Sequence, residues 1–155
     1  MTYLWDTDAI LAATNGRPIG ELPEGITGIS IDTRTIQEGE AFFAIKGDRF
    51  DGHNFLPAAM SAGAAFAVVA QNKLVSLGSL KMPLLVVEDV LEAMRRLAEV
   101  ARLRSKAQII AVTGSVGKTT VKEMLRTVLS ASGKVHASLA SFNNHWGVPL
   151  TLARF

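Results

Sequence analysis

The sequence predicts an α/β fold: a small N-terminal α/β substrate-binding domain at residues 1–88, then the start of a parallel-sheet P-loop domain at residues 89–155. Two observations lead to this prediction. In the first part, short apolar runs alternate with turn residues and one short helix pattern, which is typical of layered α/β domains. In the second part, the apolar run QIIAV passes through TGSVGKTT straight into a helix pattern. That order is typical of a strand, loop and helix in a βαβ unit.

Four strands and one short helix are predicted in the first part. The strands rest on short apolar or alternating runs, and the helix rests on NFLPAAMSAG, which Gly63 should end. The segment SLGSLKMP has no regular pattern and predicts no element. The strands are expected at residues 28–32, 41–48, 65–70 and 84–89.

The second part opens with a predicted helix at residues 89–104. Asp89 is placed to cap it, and Glu92 is one helical turn from Arg96. Its apolar residues recur at helical spacing, so we expect a buried face and no cofactor site: Val90, Met94, Leu97 and Ala101.

A βαβ unit is then predicted from strands at 108–112 and 134–138 and the helix between them, which Gly133 should end. That helix has its own apolar stripe: Val121, Met124, Leu125, Val128 and Leu129.

Composition excludes several classes of protein. The chain has 155 residues, 48% of them apolar, and a net charge of +2 without a basic patch, so nucleic-acid binding is not indicated. Cysteine is absent, which excludes disulfides and thiolate metal sites. Neither a signal peptide nor a membrane-spanning run is visible in the sequence. We therefore expect a cytoplasmic protein. A monomer is also expected, although nothing in the composition indicates the oligomeric state.

The loop TGSVGKTT is the strongest functional feature. The first N–H groups of a helix lack partners, and together with the helix dipole they form an anion site about the size of a phosphate. Gly114 and Gly117 allow close approach of the ligand, Lys118 adds charge for the outer phosphates, and the Thr119 hydroxyl can ligate magnesium. The common pattern has a glycine where this chain has Val112. The predicted nucleotide-binding residues are Gly114, Ser115, Val116, Gly117, Lys118, Thr119 and Thr120.

Beyond the second predicted strand lies SFNNHWGVPLTLARF. Polar residues at the carboxyl edge of a parallel sheet commonly line a ligand site, so Asn143 and Asn144 are predicted to line one. His145 is interpreted as a structural histidine, because only His53 and His136 accompany it and no metal-binding cluster results. Trp146 is expected to pack.

Two polar segments in the first part leave alternatives open. Ser30, Asp32, Thr33 and Arg34 follow a strand, and an arginine beside hydroxyl groups can bind a phosphate or diphosphate. The segment IKGDRFDGHNF adds Lys46, Gly47 and Arg49. An Asp-Arg surface pair and an ordinary turn explain the same residues equally well.

The residues also resemble a known family. The stretch SIDTRTIQEGEAFFAIKGDRFDGHNF carries the D-[ST]-R, G-x-x-F-x-A-x-x-G and D-G-H-x-F elements of the Mur ligases, and Mur ligases share the shortened glycine loop. TGSVGKTTVKEM followed by NNHWGVPLTLAR resembles the member that joins D-Ala-D-Ala to UDP-MurNAc-tripeptide rather than the member that adds the third peptide residue.

This resemblance implies ATP and magnesium as cofactors and an acyl-phosphate intermediate in peptidoglycan synthesis. It implies that Ser30, Asp32, Thr33, Arg34, Lys46 and Gly47 bind the UDP end of the substrate, that Asn143 and Asn144 face the reacting groups, and that Lys118 acts in catalysis. Since Mur ligases are much longer, we expect the chain to be an N-terminal fragment that does not ligate alone. The alternatives are a non-catalytic UDP-sugar-binding module, the sibling ligase, and a general P-loop phosphotransferase.

Overall fold

A computed structural model describes residues 2–138 and 145–155 and has a central sheet with helices on both faces. The sheet has five strands in the order β2-β7-β6-β5-β4, and β1 pairs with β3 separately. The strands are β1 (Trp5–Asp6), β2 (Arg17–Ile19), β3 (Gly25–Ile26), β4 (Gly28–Ser30), β5 (Glu40–Phe43), β6 (Phe66–Ala70) and β7 (Leu84–Val87). The helices are α1 (Thr7–Thr14), α2 (Leu56–Ser61), α3 (Leu74–Leu77), α4 (Val90–Arg104), α5 (Lys118–Ser130) and α6 (Gly147–Ala153).

Strands β4 to β7 run parallel, and β2 adds an antiparallel edge to β7. The α/β fold is thus confirmed, as are the strands predicted around 28–32, 65–70 and 84–89. The strand predicted at 41–48 is confirmed only in its first three residues, because β5 ends at Phe43 and the residues after it form a loop. The predicted short helix is α2, and the chain turns after it at Gly63, which has a φ of +88°.

The central strands are buried on both faces. Alternate residues of β5, β6 and β7 point to opposite sides, so each strand contributes to two apolar cores. One core packs under α1, α4 and α6 and includes Phe43, Phe66, Val68, Leu85 and Val87. The other packs under α2 and includes Phe42, Ala67, Val69, Leu84 and Val86.

Helix α4 confirms the prediction made for it. Asp89 Oδ1 accepts a hydrogen bond from the Glu92 N–H at 2.7 Å, and the Glu92 carboxylate lies 3.5 Å from Arg96 Nε. The predicted apolar face is buried: Val90, Met94, Leu97 and Ala101 all belong to the core under α1 and α6. Helix α4 therefore shares one core with the sheet.

Helix α6 is anchored on the N-terminal part of the chain. Leu150 and Ala153 are buried in the same core as α4. Trp5 Nε1 donates a hydrogen bond to the Ala153 carbonyl at 2.8 Å, and the Arg104 guanidinium lies 3.7 Å above the Trp5 ring. The short C-terminal helix thus has a fixed position relative to the sheet.

The predicted βαβ unit is only partly correct. Helix α5 is present, but residues 108–112 and 134–138 form no strand. A strand exists only by pairing with a neighbour, and no segment in the described ranges pairs with either run. The apolar stripe of α5 is exposed for the same reason, with Met124 63% and Val128 69% accessible. Helix α5 also ends at Ser130, before Gly133.

Candidate functional site

The predicted substrate-binding residues of the first part lie at one edge of the sheet. Strands β4 and β5 are parallel neighbours, with Ser30 opposite Phe42. The turn after β4 and the loop after β5 therefore leave the sheet at its carboxyl edge, where ligands bind in open α/β sheets. This arrangement brings the turn at residues 30–34 beside the loop that carries Lys46 and Gly47.

The turn after β4 is held by its own polar side chains. Ser30 is 1% exposed, and its hydroxyl donates to the Asp32 carbonyl at 3.1 Å and accepts from the Asp32 N–H at 3.2 Å. Asp32 Oδ1 then accepts from the Arg34 N–H at 3.0 Å, and Thr33 between them is half-buried. Side chains of this kind commonly replace backbone bonds in turns, and here they fix the path of the chain.

Asp32 and Arg34 form an ion pair on the surface. Arg34 Nη2 lies 2.6 Å from Asp32 Oδ2, and Arg34 Nε donates to Asp32 Oδ1 at 2.9 Å. The hydrogen bond from Arg34 holds the pKa of Asp32 below its usual value, and the same contact raises the pKa of Arg34. The Asp-Arg surface pair is therefore present. The Arg34 side chain is still 86% exposed, so its outer face is accessible to an anion.

The loop after β5 is a tight hairpin. The Gly47 N–H donates to the Phe50 carbonyl at 2.9 Å, and the Gly52 N–H donates to the Ile45 carbonyl at 2.9 Å. A Cβ at Gly52 would lie 2.7 Å from the carbonyl carbon of Ala44, so only glycine fits this position. Lys46 is exposed on this loop, as is Arg49. The loop thus presents two exposed cations.

A polar network behind this loop was not predicted from the sequence. His53 is buried, and its Nδ1 lies 2.6 Å from Asp51 Oδ1. The Ala70 N–H, at the end of β6, donates to His53 Nε2 at 3.0 Å, and Lys73 Nζ lies 2.7 Å from Asp51 Oδ2. The element DGHNF was the only signal of this network, because Lys73 and Ala70 are far along the chain.

The hydrogen bonds of His53 fix its tautomer. Nε2 accepts from a backbone N–H, so the ring proton is on Nδ1 and is donated to Asp51. Burial alone would raise the pKa of Asp51, but hydrogen bonds from Lys73 and His53 outweigh it and hold that pKa well below its usual range. The network joins the loop after β5 to the end of β6, so it supports the carboxyl edge from behind.

The predicted phosphate loop lies directly before α5. Gly114 has a φ of +148° and Gly117 a φ of +80°, values that other residues rarely adopt. Helix α5 begins at Lys118, whose Nζ donates a hydrogen bond to the Gly114 carbonyl. Ser115, Val116, Gly117, Thr119 and Thr120 are exposed around the same bend. The loop therefore combines two glycines at positive φ, a helix N-terminus and a lysine, features that are typical of phosphate-binding loops.

Charged side chains of α5 form ion pairs with one another. The Glu123 carboxylate lies 2.8 Å from both Lys122 Nζ and Arg126 Nε, and these contacts, that of Lys122 first, lower the pKa of Glu123. Lys122 Nζ also donates to the Ser138 carbonyl at 2.8 Å, which ties the end of the 134–138 segment to the helix.

The remaining predicted residues differ in what the structure shows of them. Asn143 and Asn144 lie outside the described residues. His145 is exposed and Trp146 is half-buried. Within residues 2–138 and 145–155, no group of three or more His, Asp or Glu side chains is arranged to hold a metal. Magnesium binding by the Thr119 hydroxyl stays a prediction.

Two family models match the sequence. Residues 25–102 match the catalytic domain of the Mur ligase family, and residues 112–155 match the Mur ligase middle domain. The chain belongs to the Mur ligase family. The first match covers the four parallel strands β4 to β7 with the turn and loop at their carboxyl edge, and the second covers the phosphate loop, α5 and α6.

Individual Mur ligases are similar over most of this chain. A UDP-N-acetylmuramoyl-tripeptide–D-alanyl-D-alanine ligase of Synechocystis is 47% identical over 127 residues, which are 82% of this chain and 28% of that protein. A crystal structure of MurF from Acinetobacter baumannii matches 97% of this chain and 33% of its own, with a TM-score of 0.78 and 33% identity. A MurF ligase from Thermotoga maritima in complex with ADP matches 82% of this chain and 29% of its own, with a TM-score of 0.63 and 28% identity.

The chain thus spans about 28% of the length of the Synechocystis ligase. Among the described helices, none is both long and apolar enough to cross a membrane.

Proposed function

We propose that this chain is the part of an ATP-dependent ligase that binds UDP-MurNAc-tripeptide and the phosphates of ATP. The ligase adds D-Ala-D-Ala to the tripeptide in peptidoglycan synthesis, in the cytoplasm. The observation that carries the proposal is the 47% identity to a ligase of that specificity across 82% of the chain. The geometry of the loop at residues 114–120 and of the turn at residues 30–34 also supports the proposal.

The loop at residues 114–120 binds the ATP phosphates in this proposal. Its left-handed glycines leave no Cβ in the way, and Lys118 is held against the loop backbone by the Gly114 carbonyl. The positive end of the α5 dipole and the Lys118 ammonium offset the negative charge of the phosphates. The ADP bound by the Thermotoga maritima enzyme supports a nucleotide as the ligand.

The loop also carries an oxygen ligand that is suitable for magnesium. Thr119 follows the lysine directly, and a hydroxyl at this position is a hard oxygen ligand of the kind that magnesium prefers. When bound, the ion neutralises charge on the transferred phosphoryl group. Thr119 would hold it together with the phosphate oxygens of the nucleotide.

The proposed reaction has two steps. The tripeptide carboxylate attacks the γ-phosphorus of ATP, which forms an acyl phosphate and releases ADP. The D-Ala-D-Ala amine then attacks the acyl carbon, and phosphate leaves as the amide forms. Both steps bring anionic oxygens together, so Lys118 stabilises the developing charge, and Asn143 and Asn144 are proposed to face the reacting groups.

The carboxyl edge of the sheet binds the UDP end of the substrate in this proposal. A diphosphate carries charge that the exposed Arg34 and Lys46 can offset, and the tight turn at Gly47 lets the backbone approach it. Ser30, Asp32 and Thr33 shape that turn. We assign residues 1–88 to the UDP-sugar-binding domain and residues 89–155 to the start of the ATP-binding domain, although α4 packs on the sheet of the first.

Calorimetry on the chain tests the proposal. We expect UDP-MurNAc-tripeptide and Mg-ATP both to bind, with Arg34→Ala weakening only the first and Lys118→Ala only the second. Tripeptide binding without ATP binding would instead favour a non-catalytic UDP-sugar module. ATP binding alone would favour a general phosphotransferase. Preference for the UDP-MurNAc-dipeptide over the tripeptide would identify the sibling ligase, because that enzyme adds the third residue.

A further inference from the structure

We infer that Arg154 is a positioning residue for the turn at residues 30–34, acting through the carbonyl of Ile29. The ligand of that turn rests on the proposed function, but the positioning itself does not. Arg154 was not among the residues predicted from the sequence to act at the site, and it follows α6 at the other end of the chain.

The contact itself is direct. Arg154 Nε donates a hydrogen bond to the Ile29 carbonyl at 2.8 Å. Ile29 lies in β4, at the edge of the sheet, and no strand of the described residues lies on its outer side to supply donors. A guanidinium N–H takes that role here. A bond from a charged donor is stronger than one between neutral groups, so it fixes the carbonyl firmly.

The surroundings of Arg154 show that its placement is costly. Its side chain is partly buried, and no carboxylate of the described residues lies within 4.0 Å of it as an ion-pair partner. Burial lowers the pKa of Arg154, and the charge of Glu40 opposes this shift from beyond contact distance. Partial removal of a cation from water is unfavourable in free energy unless the cation is hydrogen-bonded. The Ile29 carbonyl is the partner that compensates for this loss.

The contact reaches the candidate site through one peptide unit. The Ile29 carbonyl and the Ser30 N–H belong to the same planar peptide, so holding the carbonyl sets the orientation of Ser30. The Ser30 hydroxyl in turn bonds to both the N–H and the carbonyl of Asp32, and Asp32 bonds to Arg34. The hydrogen bonds that join Ser30, Asp32 and Arg34 all lie within one turn. A shift of the Ile29 peptide would therefore move the guanidinium of Arg34.

The other end of the contact is also fixed. Arg154 follows Ala153, which is buried and accepts the hydrogen bond from Trp5. Leu150, one turn earlier in α6, is buried in the same core. The arginine therefore extends from an anchored helix to the edge strand. It fixes the position of the turn at residues 30–34 relative to α6.

Amide hydrogen exchange tests the positioning without any ligand. In Arg154→Met we expect exchange at Asp32 and Arg34 to become about tenfold faster, while that of Val68 in β6 stays unchanged. Arg154→Lys keeps a charged donor and should recover part of the protection. Arg102→Met, on the exposed side of α4, is the matched control and should change neither. A merely structural loss would speed exchange throughout the sheet. Unchanged exchange at Asp32 and Arg34 in folded Arg154→Met would overturn the inference.

Calorimetry with uridine diphosphate gives the functional readout. We expect Arg154→Met to bind about tenfold more weakly than the parent chain, and Arg102→Met to bind equally well. Equal affinity of Arg154→Met and the parent would overturn the role in binding. If the parent chain does not bind uridine diphosphate, the proposed function fails while the exchange result still decides the positioning. If Arg154→Met does not fold, Arg154→Gln takes its place with the same criteria.

Discussion

The imidazole of His53 shares its Nδ1 proton with Asp51, whose Oδ1 lies 2.6 Å away. The opposite ring nitrogen accepts from the Ala70 N–H, so a buried ring connects the loop after β5 with the end of β6. Removal of the ring would take away one hydrogen bond of the Asp51 carboxylate and the hydrogen bond of the Ala70 N–H. The network therefore gives structural support to the carboxyl edge of the sheet.

Replacing His53 with alanine should destabilise the chain by about 2–4 kcal/mol, because it leaves a cavity and an unsatisfied backbone N–H at Ala70. Chemical denaturation followed by circular dichroism measures the change. His145→Ala is the matched control, since His145 is exposed and should cost less than about 0.5 kcal/mol. Equal effects of the two substitutions would contradict a supporting role for His53.

Asp51 should make stability depend on acid pH. Its folded pKa is depressed, so its contribution is fully present above the unfolded value of about 3.9 and is lost as the pH falls through the folded pKa. We expect Asp51→Asn to be about 1 kcal/mol less stable than the parent at pH 7. Denaturation curves from pH 7 down to pH 3 should show the difference shrinking at the acid end. A constant difference across this range would refute the assignment, and the exposed Asp48→Asn is the control.

Lys118→Ala should weaken Mg-ATP binding at least tenfold, because the loop loses the ammonium that offsets phosphate charge. Stability should change by less than about 0.5 kcal/mol, since α5 contributes no buried residue. Calorimetry with Mg-ATP and a denaturation curve measure the two effects. Lys134→Ala removes an equal charge from an exposed position after α5 and should leave binding intact. ATP affinity that survives in Lys118→Ala would disprove the role of the loop.

Truncation of two methionines at similar positions in their helices should destabilise the chain to very different degrees. Met94 in α4 is 0% exposed and Met124 in α5 is 63% exposed. We expect Met94→Ala to cost about 2–5 kcal/mol and Met124→Ala less than about 0.5 kcal/mol. Thermal or chemical denaturation compares them directly. A large cost for Met124→Ala would mean that the apolar face of α5 is covered in solution.

Much of the sheet was predictable because its strands are short apolar runs between turn residues. The sequence AFAVVA forms β6 almost in full, and Asp89 caps α4 as its spacing indicated. Helix α1 and strand β2 were missed for the opposite reason. The helix buries two threonines and one isoleucine, so its stripe is weak, and β2 contains Pro18 and is exposed throughout.

Long-range contacts limited what could be said about the site. The loop at residues 114–120 and the turn at residues 30–34 are local patterns, so their residues could be named from the sequence. The Lys73 and Ala70 partners of the Asp51 and His53 pair depend on the sheet order, which no local pattern reveals. The runs at 108–112 and 134–138 were predicted as strands from their length and apolar residues. Whether a strand finds a partner to pair with cannot be read from a local run, and neither run pairs with another segment of the described residues.

A single guanidinium touches both ends of the described chain. Arg104 Nη2 donates to the Leu4 carbonyl at 3.3 Å and to the Phe155 carbonyl at 3.0 Å. A few glycines and serines would therefore suffice to join residue 155 to the first residues in a circular permutant of this segment, opened for example between the exposed Gly78 and Ser79. A donor and an acceptor fluorophore attached at the two ends would likewise report folding by energy transfer, because the native state holds the dyes side by side.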